Sequence, residues 1–150
     1  MAATAFFAAL HHLLFFVIAG ALAAELVLVG EPVTARNARR LALIDAHYGA
    51  AALGILAVGF IRAFYYEKGW TFYAHNPFFH AKVGVFLLVA LLSIYPTVQF
   101  IKWRKAASAH TAPPDPASRD KVRLLIMVEL FGLGVVFVFA ALMARGIAEF

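Results

Sequence analysis

The sequence predicts an all-α protein, a four-helix transmembrane bundle with both termini on the outer, periplasmic side. Hydrophobic residues make up 64% of the 150 residues and charged residues only 14%, whereas soluble domains carry about 25% charged residues. The apolar residues form four long segments, and each exceeds the roughly 20 residues that an α-helix needs to cross a bilayer. The predicted helices cover residues 5–29, 41–65, 78–103 and 122–144 of a single membrane domain, 1–150.

The first segment, 5–29, is interpreted as a retained span. Ala21-Leu22-Ala23 has the small-x-small form of a signal-peptide cleavage site, which is the competing interpretation. A signal peptide begins with a basic region and continues with an uninterrupted apolar one. Here no lysine or arginine precedes Arg36, and His11 and His12 lie where the apolar region should be.

The second segment, 41–65, follows a basic connection and carries Asp45 near its predicted start. An acidic side chain at that position satisfies free amides and interacts favourably with the helix dipole, so we expect Asp45 to act as a cap. Gly49 and Gly59 lie within the same segment. Small residues let helix backbones approach closely in lipid, so we expect these glycines to lie at packing contacts.

The third segment, 78–103, begins after Asn76-Pro77, in a connection rich in aromatic residues that suits a membrane interface. The fourth segment, 122–144, follows a connection from 106 to 118 that contains Pro113, Pro114 and Pro116. This proline-rich connection has no core-forming residues, so it is predicted to be a linker.

Basic residues predict the orientation of the bundle, because cytoplasmic connections are enriched in lysine and arginine. The connection between the second and third segments has only Lys68, offset by Glu67. The other two connections are therefore predicted to be cytoplasmic in a multi-pass protein of the bacterial inner membrane. The net charge of +5 then reflects topology and not nucleic-acid binding. The residues on which this depends are Arg36, Arg39, Arg40, Lys102, Arg104, Lys105, Arg119, Lys121 and Arg123.

Ionisable residues inside the apolar segments are the candidate functional residues, since each is costly in hydrocarbon unless it faces the bundle interior or an interface. They fall into two groups by depth. The inner group is a candidate proton relay or buried polar site, and it comprises Glu25, Asp45, His47 and Glu129. The outer group is a candidate cofactor site, and it comprises His11, His12, Arg62, His80 and Lys82.

The outer histidines favour a haem or a metal site. His11, His12 and His80 lie at matched depth on two helices, and facing imidazoles are what axial haem ligation or a nitrogen-rich metal site requires. His11 shares a helical face with Glu25, which favours it over His12, and His80 is favoured over Lys82 as the second ligand. Lys82 is about 160° from His80 on a regular helix, so the two roles remain exchangeable. Arg62 and Lys82 could instead reach the outer headgroups.

Several segments resemble a family of small bacterial integral membrane proteins that carry a domain of unknown function. The resemblance rests on Arg39-Arg40-Leu41, Gly49, Gly59 and 76–82, and it covers nearly the whole chain. More remotely, the early histidine and His80-Ala81-Lys82 resemble the haem-dependent bacterial membrane protoporphyrinogen oxidases and the copper-resistance-like membrane group. That resemblance implies a haem-associated or copper-associated bundle, with His11 and Lys82 in the roles of the first-helix histidine and the third-helix lysine.

Three functions remain open from the sequence. The first is a protein that binds b-type haem or another porphyrin and acts in electron transfer or as a membrane oxidoreductase. In this case His11 and His80 are the metal ligands, and Arg62 or Lys82 lies near the propionates. The second is a proton- or metal-ion-coupled transport subunit that uses the inner acids. The third is a non-catalytic accessory subunit of a larger membrane complex or a homo-oligomer. The lipid bilayer is the expected partner in every case.

Overall fold

The computed structural model describes residues 1–66, 70–109 and 115–145, and within these ranges every regular element is helical. The bounds of the helices are α1 Ala2–Gly30, α2 Ala35–Ile61, α3 Trp70–His75, α4 Pro77–Leu92, α5 Ile94–Ser108 and α6 Pro116–Ala144. A π-helical turn, Arg62–Tyr66, extends α2. Four helical stretches are long and apolar enough to cross a membrane: α1, α2 with its π-helical turn, α4 with α5, and α6. The all-α prediction with four spans is confirmed.

The second helix begins at Ala35, well before the predicted start at Leu41. Thr34 is its N-cap, and the Thr34 side chain accepts a hydrogen bond from the Asn37 amide at 3.2 Å. Side-chain oxygens at this position satisfy amides that have no partner in the first helical turn. Asp45 therefore lies inside the helix, and its predicted capping role is wrong.

The third span is interrupted at Ser93, three residues before Pro96. Proline has no amide hydrogen, so the carbonyl group one turn earlier, at Leu92, receives no helical hydrogen bond from it. The span divides there into α4 and α5. The Ser93 amide still donates to Val89 at 3.0 Å and the Thr97 amide to Ser93 at 3.0 Å, so the two helices continue as one span.

The second connection contains the short helix α3 and a strong cap for α4. Asn76 is 3% exposed, and its side-chain oxygen accepts hydrogen bonds from the amides of Phe78 at 3.0 Å and Phe79 at 3.3 Å. The Tyr73 and Phe79 rings pack together, with centroids 5.2 Å apart. Residues 70–79 of the predicted aromatic connection thus form a folded corner of the bundle.

The third connection is shorter than the predicted linker 106–118, because α5 extends to Ser108 and α6 begins at Pro116. Proline is well tolerated in the first helical turn, where its missing amide hydrogen costs nothing. The predicted linker residues Pro113 and Pro114 lie outside the described residues.

The bundle is apolar on its outer surface and contains acidic groups in its interior. Phe131 is 74% exposed and Leu53 is 72% exposed, whereas Glu25 and Glu129 are each 1% exposed. An apolar surface is expected where a protein faces lipid. Acidic side chains buried inside a membrane bundle are rare, because a charge is costly there. Helix α1 packs against α2 and α6, α4 packs against α6, and α2 packs against α5.

Candidate functional site

A cavity of about 350 Å³ lies among α1, α2, α4 and α6, at the end of the bundle where α1 begins and α6 ends. Its walls are mainly apolar, and its polar side chains are His11, His12 and Lys82. Aromatic rings form much of the wall, at Phe15, Phe16, Phe60, Phe79, Phe86 and Phe137. Phe16 and Phe137 are also exposed on the outer surface, at 70% and 58%, so the cavity wall continues to the lipid-facing side.

His11 reaches this cavity because α2 presents a glycine to it. A Cβ atom built on Gly59 would lie 3.3 Å from His11 Cε1 and 3.7 Å from His11 Nδ1. The imidazole ring thus rests directly on the backbone of α2. Gly59 is therefore part of the site. Its sequence signal is a small residue within α2, the helix that packs against the part of α1 that carries His11.

The other outer residues are placed differently from one another. His12 lines the cavity, and its Nδ1 lies 2.7 Å from the Ala8 carbonyl oxygen. Lys82 also lines the cavity. His80 and Arg62 are not among the lining residues; His80 is exposed, and its Nε2 donates to the Ala74 carbonyl oxygen at 2.8 Å.

The structure thus brings together His11, His12 and Lys82, and it leaves out His80, which was the favoured second ligand. The reason is local. His80 lies in the first turn of α4 and folds back on α3, whereas Lys82 faces inward. On a regular helix His80 and Lys82 point in nearly opposite directions, and Lys82 is the one that faces the cavity.

A second polar group lies deeper in the bundle, around three buried carboxyl groups. Glu25 and Glu129 are each 1% exposed and Asp45 is 7% exposed. Glu25 lies close enough to Asp45 and Glu129 for like-charge repulsion with both. Three separate helices supply these side chains, so their proximity is a tertiary feature. Both glutamates face the bundle interior, as their cost in hydrocarbon predicts.

Hydroxyl groups satisfy part of this acidic cluster, which we define as Glu25, Asp45 and Glu129. The Thr97 hydroxyl donates to Asp45 Oδ1 at 2.8 Å, and the Tyr48 hydroxyl donates to Glu129 Oε2 at 3.2 Å. Glu25 Oε1 and Glu129 Oε1 are buried, and neither has a hydrogen-bond partner among the described residues. Sequence reasoning missed Tyr48, although it lies one helical turn from Asp45 on the same face.

His47 does not belong to the acidic cluster. It is exposed on α2, and its Nδ1 lies 2.8 Å from the Leu43 carbonyl oxygen. Within residues 1–66, 70–109 and 115–145, the structure contains no group of three or more histidine, aspartate or glutamate side chains arranged to hold a metal ion. The acidic cluster is thus not arranged as a metal site among the described residues.

Comparison with known proteins identifies the family. The family described as predicted membrane protein (DUF2214) has a model that matches residues 3–148, and the chain belongs to this family. No curated protein and no solved structure matches the chain. The membrane family implied by the sequence is confirmed, whereas the remote resemblance to haem-dependent oxidases receives no support from these comparisons.

Proposed function

We propose that this member of the predicted membrane protein family binds a b-type haem, or a related porphyrin, in the cavity among α1, α2, α4 and α6. The observation that carries the proposal is the meeting of His11 and Lys82, from two different helices, in one cavity with aromatic walls. A nitrogen ligand and a nearby cation are the two groups that a haem with acidic propionates needs from a protein.

The residues present fit such a group in three respects. The cavity of about 350 Å³ lies within the roughly 300–1,000 Å³ range of ligand sites. The His11 ring lies close to the backbone of Gly59, where an added Cβ atom would be 3.3 Å from His11 Cε1. Phenylalanine rings supply the apolar surface that a porphyrin plane requires. The wall contains a histidine and a lysine for the iron and a propionate.

In this proposal a ring nitrogen of His11 would hold the haem iron and Lys82 would bind a propionate. Electron transfer within the membrane is the chemistry that a b-type haem supplies when bound. The Lys82 ammonium is half-buried beside the Phe79 ring, 5.9 Å from its centroid. A carboxylate in this apolar wall would gain a charge-assisted hydrogen bond from it. His80, with its ring nitrogen bonded to Ala74, has no part in the site.

The test is the visible absorption spectrum of protein purified from bacterial membranes after growth with a haem precursor. The wild type is expected to show a Soret band, and His11→Ala is expected to lose it. His75→Ala is the matched control, because His75 is exposed and its Nδ1 lies 2.8 Å from the Thr71 carbonyl oxygen. Wild-type protein without a Soret band contradicts the proposal.

Two further variants separate the roles of the third-span residues. Lys82→Arg keeps the positive charge and is expected to retain haem, whereas Lys82→Met is expected to lose most of it. His80→Ala is expected to retain haem, since its ring lies outside the cavity. Loss of haem in His80→Ala together with full retention in Lys82→Met would assign the second role to His80 and remove Lys82 from the site.

A second function, proton transfer or cation-coupled transport, is favoured by the acidic cluster. Carboxyl groups that are buried and close to one another avoid the cost of charge by holding protons. The two glutamate oxygens that lack partners among the described residues are available to hold such a proton. Thr97 and Tyr48 each donate to one further oxygen and so fix the orientation of the Asp45 and Glu129 carboxyls.

Infrared difference spectroscopy tests this second function directly. Protonated carboxylic acids absorb above the amide I band, and the absorption shifts in D₂O. The wild type is expected to show this band at neutral pH, and Glu25→Gln and Glu129→Gln are each expected to remove part of it. Glu31→Gln is the control, because Glu31 is exposed in the first connection. Absence of the band in wild-type protein would refute a proton-holding cluster.

A further inference from the structure

A basic groove lies between the beginning of α2 and the end of α5, at the opposite end of the bundle from the cavity. It has a volume of about 720 Å³. Arg39 from α2 and Arg104 and Lys105 from α5 supply its polar side, while Leu43 and Ala46 continue its wall along α2. We define the basic groove by these five residues. It takes no part in either function proposed above.

The three cations of the basic groove have no acidic partner among the described residues. All three side chains are exposed. Within the described ranges no acidic side chain forms an ion pair with Arg39, Arg104 or Lys105. Three positive charges from two helices therefore converge on one groove, and their mutual repulsion is a cost that an anion between them would remove.

The position of these cations along the helices fits the membrane interface. Arg39 lies in the second turn of α2, which begins at Ala35, and Arg104 and Lys105 lie in the last turns of α5, which ends at Ser108. One turn further toward the bilayer centre the groove is lined by Leu43, which is 61% exposed. The basic groove is thus positive at headgroup depth and apolar at the depth of the acyl chains.

We propose that the basic groove is a binding site for an anionic phospholipid. The phosphodiester lies against Arg39, Arg104 and Lys105, since guanidinium groups donate paired hydrogen bonds to phosphate oxygens and lysine adds a point charge. The acyl chains follow Leu43 and Ala46. Basic pockets between transmembrane helices are a recognised means of binding such headgroups. A soluble anion would use only the charged half of the groove, which favours a lipid as the occupant.

Native mass spectrometry of the protein in a neutral detergent tests this site. The probes are phosphatidylglycerol and phosphatidylcholine with identical acyl chains, so that only the headgroup differs. The wild type is expected to bind phosphatidylglycerol at least about tenfold more tightly, because its headgroup carries a net negative charge and that of phosphatidylcholine does not. The triple variant Arg39→Gln, Arg104→Gln, Lys105→Gln is expected to lose this preference.

The matched control removes the same number of charges from the same end of the bundle. It is the triple variant Arg36→Gln, Lys102→Gln, Arg123→Gln, whose three side chains are exposed and do not line the groove. This control is expected to keep the preference for phosphatidylglycerol to within about threefold. Equal loss in both triple variants would show a diffuse surface charge effect and overturn the site.

Two more measurements distinguish a bound lipid from a soluble anion and from a variant that fails to fold. A photoactivatable phosphatidylglycerol is expected to crosslink wild-type protein within 39–46 or 104–109, so the result does not depend on any substitution. Soluble glycerol phosphate is expected not to displace the lipid, because it lacks acyl chains. Crosslinks located elsewhere, or displacement by glycerol phosphate at equal concentration, would contradict a lipid site in the basic groove.

Discussion

Replacing Gly132 with alanine is expected to destabilise the bundle at the crossing of α4 and α6. A Cβ atom built on Gly132 would lie 2.5 Å from Val89 Cγ2 and 3.9 Å from Val85 Cγ1. Carbon atoms pack at about 3.5–4.0 Å, so the first contact requires a movement of roughly 1 Å. Valine in a helix has one strongly preferred rotamer and cannot rotate away cheaply. The helices must separate instead.

The magnitude follows from two opposed effects. Alanine is better than glycine within a helix by roughly 0.5–1 kcal/mol, whereas overpacking a core costs about 1–3 kcal/mol. The free energy of unfolding should therefore fall by up to about 2.5 kcal/mol. Circular dichroism during titration with a denaturing detergent measures this change. Gly134→Ala is the control on the same helix, since nothing lies within 4 Å of its added Cβ.

Equal changes in stability for Gly132→Ala and Gly134→Ala would refute a clash at this crossing. A double variant, Gly132→Ala with Val89→Ala, provides a further check because it removes the clashing methyl group. It is expected to lose less stability than the sum of the two single changes, and the difference is their coupling energy. Additive effects would mean that the two helices already have room for a side chain at this crossing.

Individual contacts and the distribution of charge support three other predictions. Tyr48→Phe removes the only hydrogen bond seen on Glu129 among the described residues, so unfolding by detergent should become easier by about 1–3 kcal/mol. Asn76→Ala removes the cap of α4 and should cost about 1 kcal/mol by the same assay. Reporter fusions after Lys105 should be cytoplasmic and those after Trp70 external; an external signal at Lys105 would reverse the proposed orientation.

The fold could be predicted from the sequence because hydrocarbon imposes a simple length requirement on apolar helices. The ends of the helices could not be predicted from hydropathy alone. Thr34 starts α2 ahead of its basic turns, and Pro116 starts α6 inside the predicted linker. Polar first turns at a membrane interface carry no apolar signal, so only capping and proline placement indicate them.

The candidate site could be predicted in part. Helical period places His11 and Glu25 on one face, and both face the bundle interior in the structure. The same period could not choose between His80 and Lys82, because the choice depends on the contact of His80 with Ala74 in the preceding corner. The grouping of three acids from three helices is likewise tertiary, and no spacing within one segment predicts it.

The cavity and the acidic cluster are separate sites, which bears on how the two proposed functions relate. Between them lies a layer of buried apolar side chains, with Ile18 1%, Leu22 1% and Leu133 2% exposed. His11 and Glu25 are fourteen residues apart on α1, or about 21 Å at 1.5 Å per residue. A proton on the acidic cluster therefore has no polar path to the cavity through the described residues of this layer. The electron transfer proposed for the cavity and the proton holding proposed for the acidic cluster can therefore be lost independently, so the spectra of His11→Ala and Glu25→Gln should report on different sites.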